Sequence, residues 1–197
     1  EGIQQLEAGS YLKIKQGKAE TVKYWNVCDA SKQIEYADAA AIQKNIKQLL
    51  GQSVERRLVS DVPVGAFLSG GIDSSVVVGL MSEVCKVKPA TFNISFSEKE
   101  YDESEYAEII AKKFNTRHTK IQLSPATMLD ELEQALSAMD TPSGDGVNSY
   151  VVAKAIKNAG IKVALSGVGG DELFAGYPIF SQFQKLHDKA SLWKYSA

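Results

Sequence analysis

The stretch Val64-Gly65-Ala66-Phe67-Leu68-Ser69-Gly70-Gly71-Ile72-Asp73-Ser74-Ser75 constrains the fold of this chain more than any other. A short apolar run breaks at Ser-Gly-Gly, and a helical pattern resumes at once through Val76-Val77-Val78. That sequence of signals reads as a buried strand, a tight loop and a helix start. Two adjacent glycines let backbone N–H groups approach a ligand closely, and Ser69, Ser74 and Ser75 add hydroxyls at the positive end of a helix. A polyphosphate suits such a cradle. The carboxylate of Asp73 repels phosphate unless a divalent cation lies between them, so its presence points to magnesium. The competing reading is a Ser/Gly turn that caps a helix, with Asp73 as ordinary first-turn charge.

No Gly-Lys-Ser/Thr closes the loop as in a Walker motif, and the glycines lack the spacing of a dinucleotide fingerprint. Ser69-Gly70-Gly71-Ile72-Asp73-Ser74-Ser75 resembles the pyrophosphate-binding loop of the N-type ATP pyrophosphatases, which cut ATP between its α and β phosphates.

The rest of the chain supplies a scaffold for that loop. Tyr11 to Lys15 alternates apolar and polar residues, turns at Gln16-Gly17-Lys18 and resumes at Thr21 to Trp25, which predicts a β-hairpin too small to be stable alone. Apolar positions at helical spacing from Asp38 to Ser60 predict a long amphipathic helix leading into the motif strand. A helix over 74–85, a strand over 90–96, an acidic loop from Glu98 to Glu105 and an amphipathic helix follow, with Asp102 or Ser104 as its cap. Arg117 to Leu123 reads as a strand, Pro125 opens a helix to about Ala138, and Asp140 to Gly146 is a loop of turn formers. A helix over 148–159 stops at Gly160, and a last strand, Ile161 to Leu165, runs into Ser166-Gly167-Val168-Gly169-Gly170-Asp171-Glu172. Strands alternating with helices predict an α/β, doubly wound parallel sheet with helices on both faces, preceded by the hairpin. Ligands of such sheets sit beyond the carboxyl ends of the strands, where both Ser-Gly loops fall and face one cleft.

Composition narrows the partners. The 197 residues carry 22 Lys and Arg against 24 Asp and Glu, so no basic footprint for nucleic acid exists. Two cysteines, Cys28 and Cys85, are too few for a disulfide framework or a zinc site and suit a reducing cytoplasm. No apolar run reaches membrane-spanning length. The start lacks Met and a secretion-signal pattern, and the end follows an amphipathic stretch without a closing element, so both ends read as those of an excised piece.

The second loop repeats the logic of the first, with glycines for close approach and then acids at a helix start; Asp171 is the candidate magnesium-facing carboxylate opposite Asp73. A Gly-rich turn followed by first-turn charges is the plainer alternative. Taken in order, Leu68 to Ser75, Tyr101-Asp102-Glu103-Ser104, Asp140-Thr141-Pro142 and Ser166-Gly167 through Tyr177 resemble the synthetase domain of the glutamine-dependent asparagine synthetases. The hairpin, with Ala8-Gly9-Ser10-Tyr11-Leu12 and Tyr24-Trp25, is similar to the segment that joins the family's glutaminase domain to that domain. The resemblance implies a linker over 1–36 and an ATP-binding synthetase domain of the adenine nucleotide alpha hydrolase kind over 37–197. It implies activation of the aspartate side-chain carboxylate as an acyl-adenylate with release of pyrophosphate, followed by amide formation with ammonia from a glutaminase domain.

Carried over by position, Ser69, Gly70, Gly71, Asp73, Ser74 and Ser75 hold the pyrophosphate end of ATP, Leu68 and Ile94 contact adenosine, and Ser166 and Gly167 complete the site. Asp73 and Asp171 are the implied catalytic acids and magnesium ligands, and a homodimer stays open. Three departures stand out. Neither cysteine stands in for the glutaminase nucleophile, the position usually acidic after Ser166-Gly167 is Val168, and the family's domain continues past residue 197. A valine accepts neither a proton nor a hydrogen bond, which opens an alternative acceptor such as a sugar acid, or a catalytically weak ATP-binding module.

Among the remaining polar residues, His118 and His187 lack catalytic partners at a telling spacing, Lys162 belongs in solvent, and Arg56 and Arg57 complement a helix end. Phe174, Tyr177, Phe180 and Phe183 are spaced as a packing face.

Overall fold

The computed structural model describes residues 3–30, 38–96, 103–141 and 143–193. The chain falls into two compact units, Glu1–Ile46 and Lys47–Ala197. In the first, β1 (Ser10–Lys15) pairs antiparallel with β2 (Lys18–Lys23). Lys15 pairs with Lys18, so the connection has two residues rather than the three expected. Positive φ at both Gln16 (52°) and Gly17 (75°) gives the twist that closes the tightest hairpin. The hairpin's side chains are largely exposed, Ile14 among them. A short helix, α1 (Val27–Ala30), follows.

Helix α2 (Ala39–Arg57) runs from the first unit into the second. There, β3 (Val64–Phe67), β4 (Ala90–Phe96), β5 (Arg117–Leu123) and β6 (Val163–Leu165) form one sheet in the order β5-β4-β3-β6, every neighbouring pair parallel. The last strand thus inserts beside the first. The alternation expected from sequence is present, with α3 (Ile72–Val84) between β3 and β4, and α4 (Ser104–Lys113) between β4 and β5. Helices α5 (Pro125–Asp130), α6 (Leu132–Ser137) and α7 (Gly146–Asn158) separate β5 from β6, and α8 (Gly170–Phe174) and α9 (Pro178–Trp193) follow it.

Both faces of the sheet are covered. Ala66 and Leu68 pack with Val54 of α2, Val78, Leu80 and Met81 of α3, and Ala107 and Ala111 of α4. On the other face Ala90, Phe92, Phe67 and Ile121 pack with Val152 and Ile156 of α7. The period-two alternation of strand side chains sends Ala66 and Leu68 one way and Phe67 the other. The result is the doubly wound layering that the alternation predicts.

Local differences from expectation have physical causes. Helix α3 begins at Ile72, not Ser74, because Gly71 takes the N-cap position in an extended conformation (φ −67°, ψ 164°). Ser104 does not cap α4: Glu103 holds the N-cap position without a side-chain bond, and the Ser104 hydroxyl instead accepts from Lys120 Nζ of β5. Asp102, with residues 98–101 of the expected acidic loop and Pro142 of the Asp140-Thr141-Pro142 motif, lies outside the described residues. The helix opened by Pro125 is capped by Ser124, whose Oγ accepts from Thr127 N at 3.1 Å, but it breaks at Glu131 into α5 and α6. Glu131 is ion-paired with Lys154 of α7, which ties the break to the neighbouring helix. Strand β6 keeps only three residues: Ile161 N donates to Ile156 O at 3.2 Å and so stays tied to the end of α7.

Met81 is fully buried at the centre of the larger cluster. We expect Met81→Ala to lower unfolding free energy by about 2–5 kcal/mol through lost transfer and a residual cavity, read as a reduced urea midpoint with unchanged slope.

Candidate functional site

The order of the four strands puts a topological switch between β3 and β6, the place where open α/β sheets leave a crevice. Ala66 pairs with Leu165, so both Ser-Gly loops leave adjacent strands at the same level. Between them lies a cavity of about 750 Å³. Phe67, Ser69, Gly71, Ile72, Asp73 and Ser74 line it from the first loop, and Ser166 through Asp171 from the second. Phe174, Gly176 and Tyr177 close a further wall.

The two loops touch through atoms that only glycine leaves room for. A Cβ on Gly167 would lie 2.8 Å from Ser74 N and 2.9 Å from both Asp73 C and Asp73 Cβ. A Cβ on Gly170 would fall on the Asp73 carboxylate, and one on Gly176 on Oδ1 of Asp171. Gly167 thus lets the second loop sit on the backbone of α3, and Gly170 and Gly176 leave the two carboxylates where they stand. Gly169 sits at φ 98° and Ala175 at φ 56°, so α8 is bounded by left-handed residues at both ends. The second is a strained position for a residue with a Cβ, and it turns the chain so that Gly176 N donates to Asp171 O at 2.9 Å.

The hydroxyls of the first loop are spent inside it. Ser74 Oγ and Ser75 Oγ both donate to Gly71 O, at 3.1 and 2.7 Å, and Ser69 Oγ lies 3.1 Å from Ser74 Oγ while accepting from Gly71 N. No side chain caps α3, so its first backbone N–H groups stay available at the positive end of the helix dipole. In the second loop Ser166 Oγ accepts from Val168 N at 3.2 Å, a local turn that leaves Val168 91% exposed. Ile72, which also lines the cavity, is 83% exposed.

Electrostatically the cavity is acidic. Asp73 and Asp171 are its charged lining residues, and no Lys or Arg lines it among the described residues. Tyr177 Oη donates to Glu172 Oε1 at 3.0 Å, and that bond, with the carboxylates of Glu172, Asp171 and Asp73, holds its phenol above the ordinary value. Among the described residues no group of three His, Cys, Asp or Glu could enclose a metal ion. Two carboxylates in an open cleft instead match the way magnesium is held, by one or two acids with water and substrate phosphate completing the shell.

Of the residues singled out in the sequence, the structure brings Ser69, Gly71, Asp73, Ser74, Ser166, Gly167 and Asp171 together around one cavity. Gly70, Ser75, Leu68 and Ile94 are not among the lining residues. Gly70 faces α4 instead, where an added Cβ would lie 2.6 Å from Tyr106 Cβ, and Leu68 is fully buried in the core. Phe174 and Tyr177, expected in a packing face, line the cavity, while Phe180 stacks on Tyr177 with ring centroids 6.1 Å apart and Phe183 faces solvent. The signal for this is the Ala175-Gly176 pair, a helix stop that turns Tyr177 back toward Asp171.

Outside the cavity, Arg56 Nε donates to Gln52 O, and Arg57 Nη1 donates to Ser53 O and Ser53 Oγ at the end of α2. Lys162 is exposed, and His187 pairs with Asp188 at 3.8 Å on the surface. His118 Nδ1 shares a hydrogen bond with Thr91 Oγ1, and burial pulls its pKa below the ordinary value against an opposing pull from Glu108.

Residues 45–196 match the asparagine synthase family. The chain belongs to that family. It is 38% identical over 177 residues to a putative asparagine synthetase [glutamine-hydrolyzing] 2 of Methanocaldococcus jannaschii, covering 87% of this chain and 33% of that protein. It is 31% identical over 195 residues to asparagine synthetase [glutamine-hydrolyzing] 3 of Bacillus subtilis, covering 91% and 31%. The chain therefore spans about a third of the length of these asparagine synthase relatives, and what it matches is their synthetase domain. An NH3-dependent NAD synthetase structure from Campylobacter jejuni is similar at a TM-score of 0.45 and 18% identity, over 68% of this chain and 60% of that one.

Because His118 is neutral in the fold and protonates more readily unfolded, its contribution is full above the ordinary value of 6.5 and is lost as pH falls from there through the lower folded value. We expect His118→Gln to lose less stability than the parent between pH 7 and pH 5, measured by urea unfolding at both.

Proposed function

We propose that this chain is the ATP-binding part of an ATP-dependent amide ligase that activates a carboxylate as its acyl-adenylate. The observation that carries the reading is the convergence of Asp73 and Asp171, from two glycine-rich loops on adjacent parallel strands, on one cavity in a member of the asparagine synthase family. Residues 37–197 form the nucleotide-binding domain and residues 1–36 the segment that precedes it. The setting is the cytoplasm, where Cys28 and Cys85 stay reduced.

The chemistry divides into two displacements. An oxygen of the acceptor carboxylate bonds to the α-phosphorus of ATP while the bond to the bridging oxygen breaks, and pyrophosphate leaves. Ammonia from a glutaminase partner domain then bonds to the acyl carbon, AMP departs with the electron pair of the carbon–oxygen bond, and the nitrogen gives up a proton. The work of the protein is positioning and charge. The uncapped start of α3 and the backbone around Gly71 receive phosphate oxygens, with the hydroxyls of Ser69 and Ser74 holding the loop in shape through their internal bonds. Asp73 and Asp171 hold magnesium, which when bound supplies positive charge against the polyphosphate. Ser166 and Gly167 form the opposing wall, and Tyr177 and Phe174 line a further one.

Aspartate is the acceptor implied by the relatives' names. Val168 favours a second reading on a specific observation: it lines the cavity with an apolar side chain and is almost fully exposed there. An acceptor with a different body, still a carboxylate, suits that wall better.

Pyrophosphate exchange into ATP by the intact protein, with magnesium and a panel of carboxylic acids, tests both readings. We expect exchange that depends on an acid, and about a 100-fold or greater loss in Asp73→Asn and in Asp171→Asn with unchanged circular dichroism. Exchange with aspartate selects the first reading, and exchange only with another acid the second. A folded protein that exchanges with none overturns both.

A further inference from the structure

The buried polar face of β4 lies outside the cavity and has no part in the chemistry above. Thr91, Asn93 and Ser95 alternate along the strand and point away from Phe92, toward the side that carries α3 and α4. All three are buried, Asn93 to 3% exposure and Ser95 to 1%. Thr91 has partners in Thr116 Oγ1, at 2.8 Å, and His118 Nδ1, at 3.0 Å. Asn93 Oδ1 and Ser95 Oγ have none among the described residues. A buried acceptor without a donor is costly, so an amide kept here needs a compensating task.

That task is visible at the other end of the amide. The β3–β4 ladder ends with Phe67 opposite Phe92, and Leu68 N adds one rung by donating to Phe92 O at 2.8 Å. At the next position the strands diverge, and Asn93 Nδ2 donates to Leu68 O at 3.2 Å in place of a backbone rung. The peptide so held joins Leu68 to Ser69, the first residue of the phosphate loop. Turning the amide over would set Oδ1 against that carbonyl, so the donor orientation is demanded. One residue further, Gly70 at φ 92° packs on α4, where a Cβ would lie 2.9 Å from Ala107 N and 3.2 Å from Glu103 O. The loop is therefore clamped at its entry by Asn93 and at its tip by α4.

We propose that Asn93 is a positioning residue for the nucleotide: its side-chain amide holds the Leu68–Ser69 peptide in the orientation that aims the loop and the start of α3 into the cavity. The nucleotide part of this inference rests on the ATP reading above, and the loop part does not. Asn93→Leu removes both the donor and the orphaned oxygen while keeping the branching of the side chain, and Ser95→Ala removes an orphaned hydroxyl on the same face of the strand.

The test uses the intact protein with two readouts, magnesium-ATP affinity by calorimetry and backbone hydrogen exchange at Gly70 and Gly71 without nucleotide. We expect Asn93→Leu to speed exchange at both glycines and to weaken magnesium-ATP about tenfold. Ser95→Ala should keep loop exchange and affinity within twofold of the parent. Unchanged exchange in Asn93→Leu overturns the proposal, as does an unchanged affinity. If the parent does not bind magnesium-ATP, that failure belongs to the nucleotide reading, and the exchange result alone decides the role of Asn93. Should Asn93→Leu fail to fold, Asn93→Ser, which fits the site but is too short to reach Leu68 O, gives the same two comparisons.

Discussion

The contact on which the rest of the site depends is the seating of the second Ser-Gly loop against the first turn of α3. Gly167 lies over the Asp73–Ser74 peptide and Gly170 over the Asp73 carboxylate, both closer than a Cβ permits. Substituting Gly167 would press on backbone and push the loop off α3, whereas substituting Gly170 would displace the Asp73 carboxylate. The strand order makes the contact available, since β6 inserts next to β3 and brings the loops to one level. Backbone topology supplies proximity, and missing Cβ atoms turn it into contact.

From that contact follows the electrostatic character of the cleft. Two carboxylates approach a space lined by no described Lys or Arg, with backbone N–H groups of α3 as the fixed positive counterweight. A polyphosphate entering such a cleft requires a cation. Tyr177 responds to the same field, its phenol held protonated by Glu172 and by both aspartates. On the proposed reading, the acids that look wrong for a phosphate site are the reason a metal–nucleotide complex, and not the bare nucleotide, suits it.

Much of the architecture is legible in the sequence because local signals agree. Hydrophobic runs end in glycine at Ser69-Gly70 and Ser166-Gly167, which marks the loops and their place at strand ends, and β5 falls on residues 117–123 as expected. The strand order is not legible, since nothing local in Val163-Ala164-Leu165 says which neighbour it pairs with. The task of the polar face of β4 is hidden for a related reason: Thr91, Asn93 and Ser95 are short polar side chains whose partners come from other elements, and the helices packed over them make them interior. Ser104 reads as a cap because caps are local, whereas its partner Lys120 comes from a different element. Phe174 and Tyr177 read as packing residues because helical spacing looks the same whether an aromatic meets a core or a cavity.

Whether Asp73 and Asp171 share one metal on a polyphosphate held between the two loops decides the functional reading. A crystal structure of the intact protein with magnesium and an ATP analogue carrying a methylene between the α and β phosphates tests it most directly. The expected result is a chain of phosphates in the cleft between Ser69–Ser74 and Ser166–Asp171, with a magnesium ion about 2.1 Å from an oxygen of each aspartate. A nucleotide bound elsewhere, or phosphates in the cleft whose metal touches neither aspartate, would contradict it.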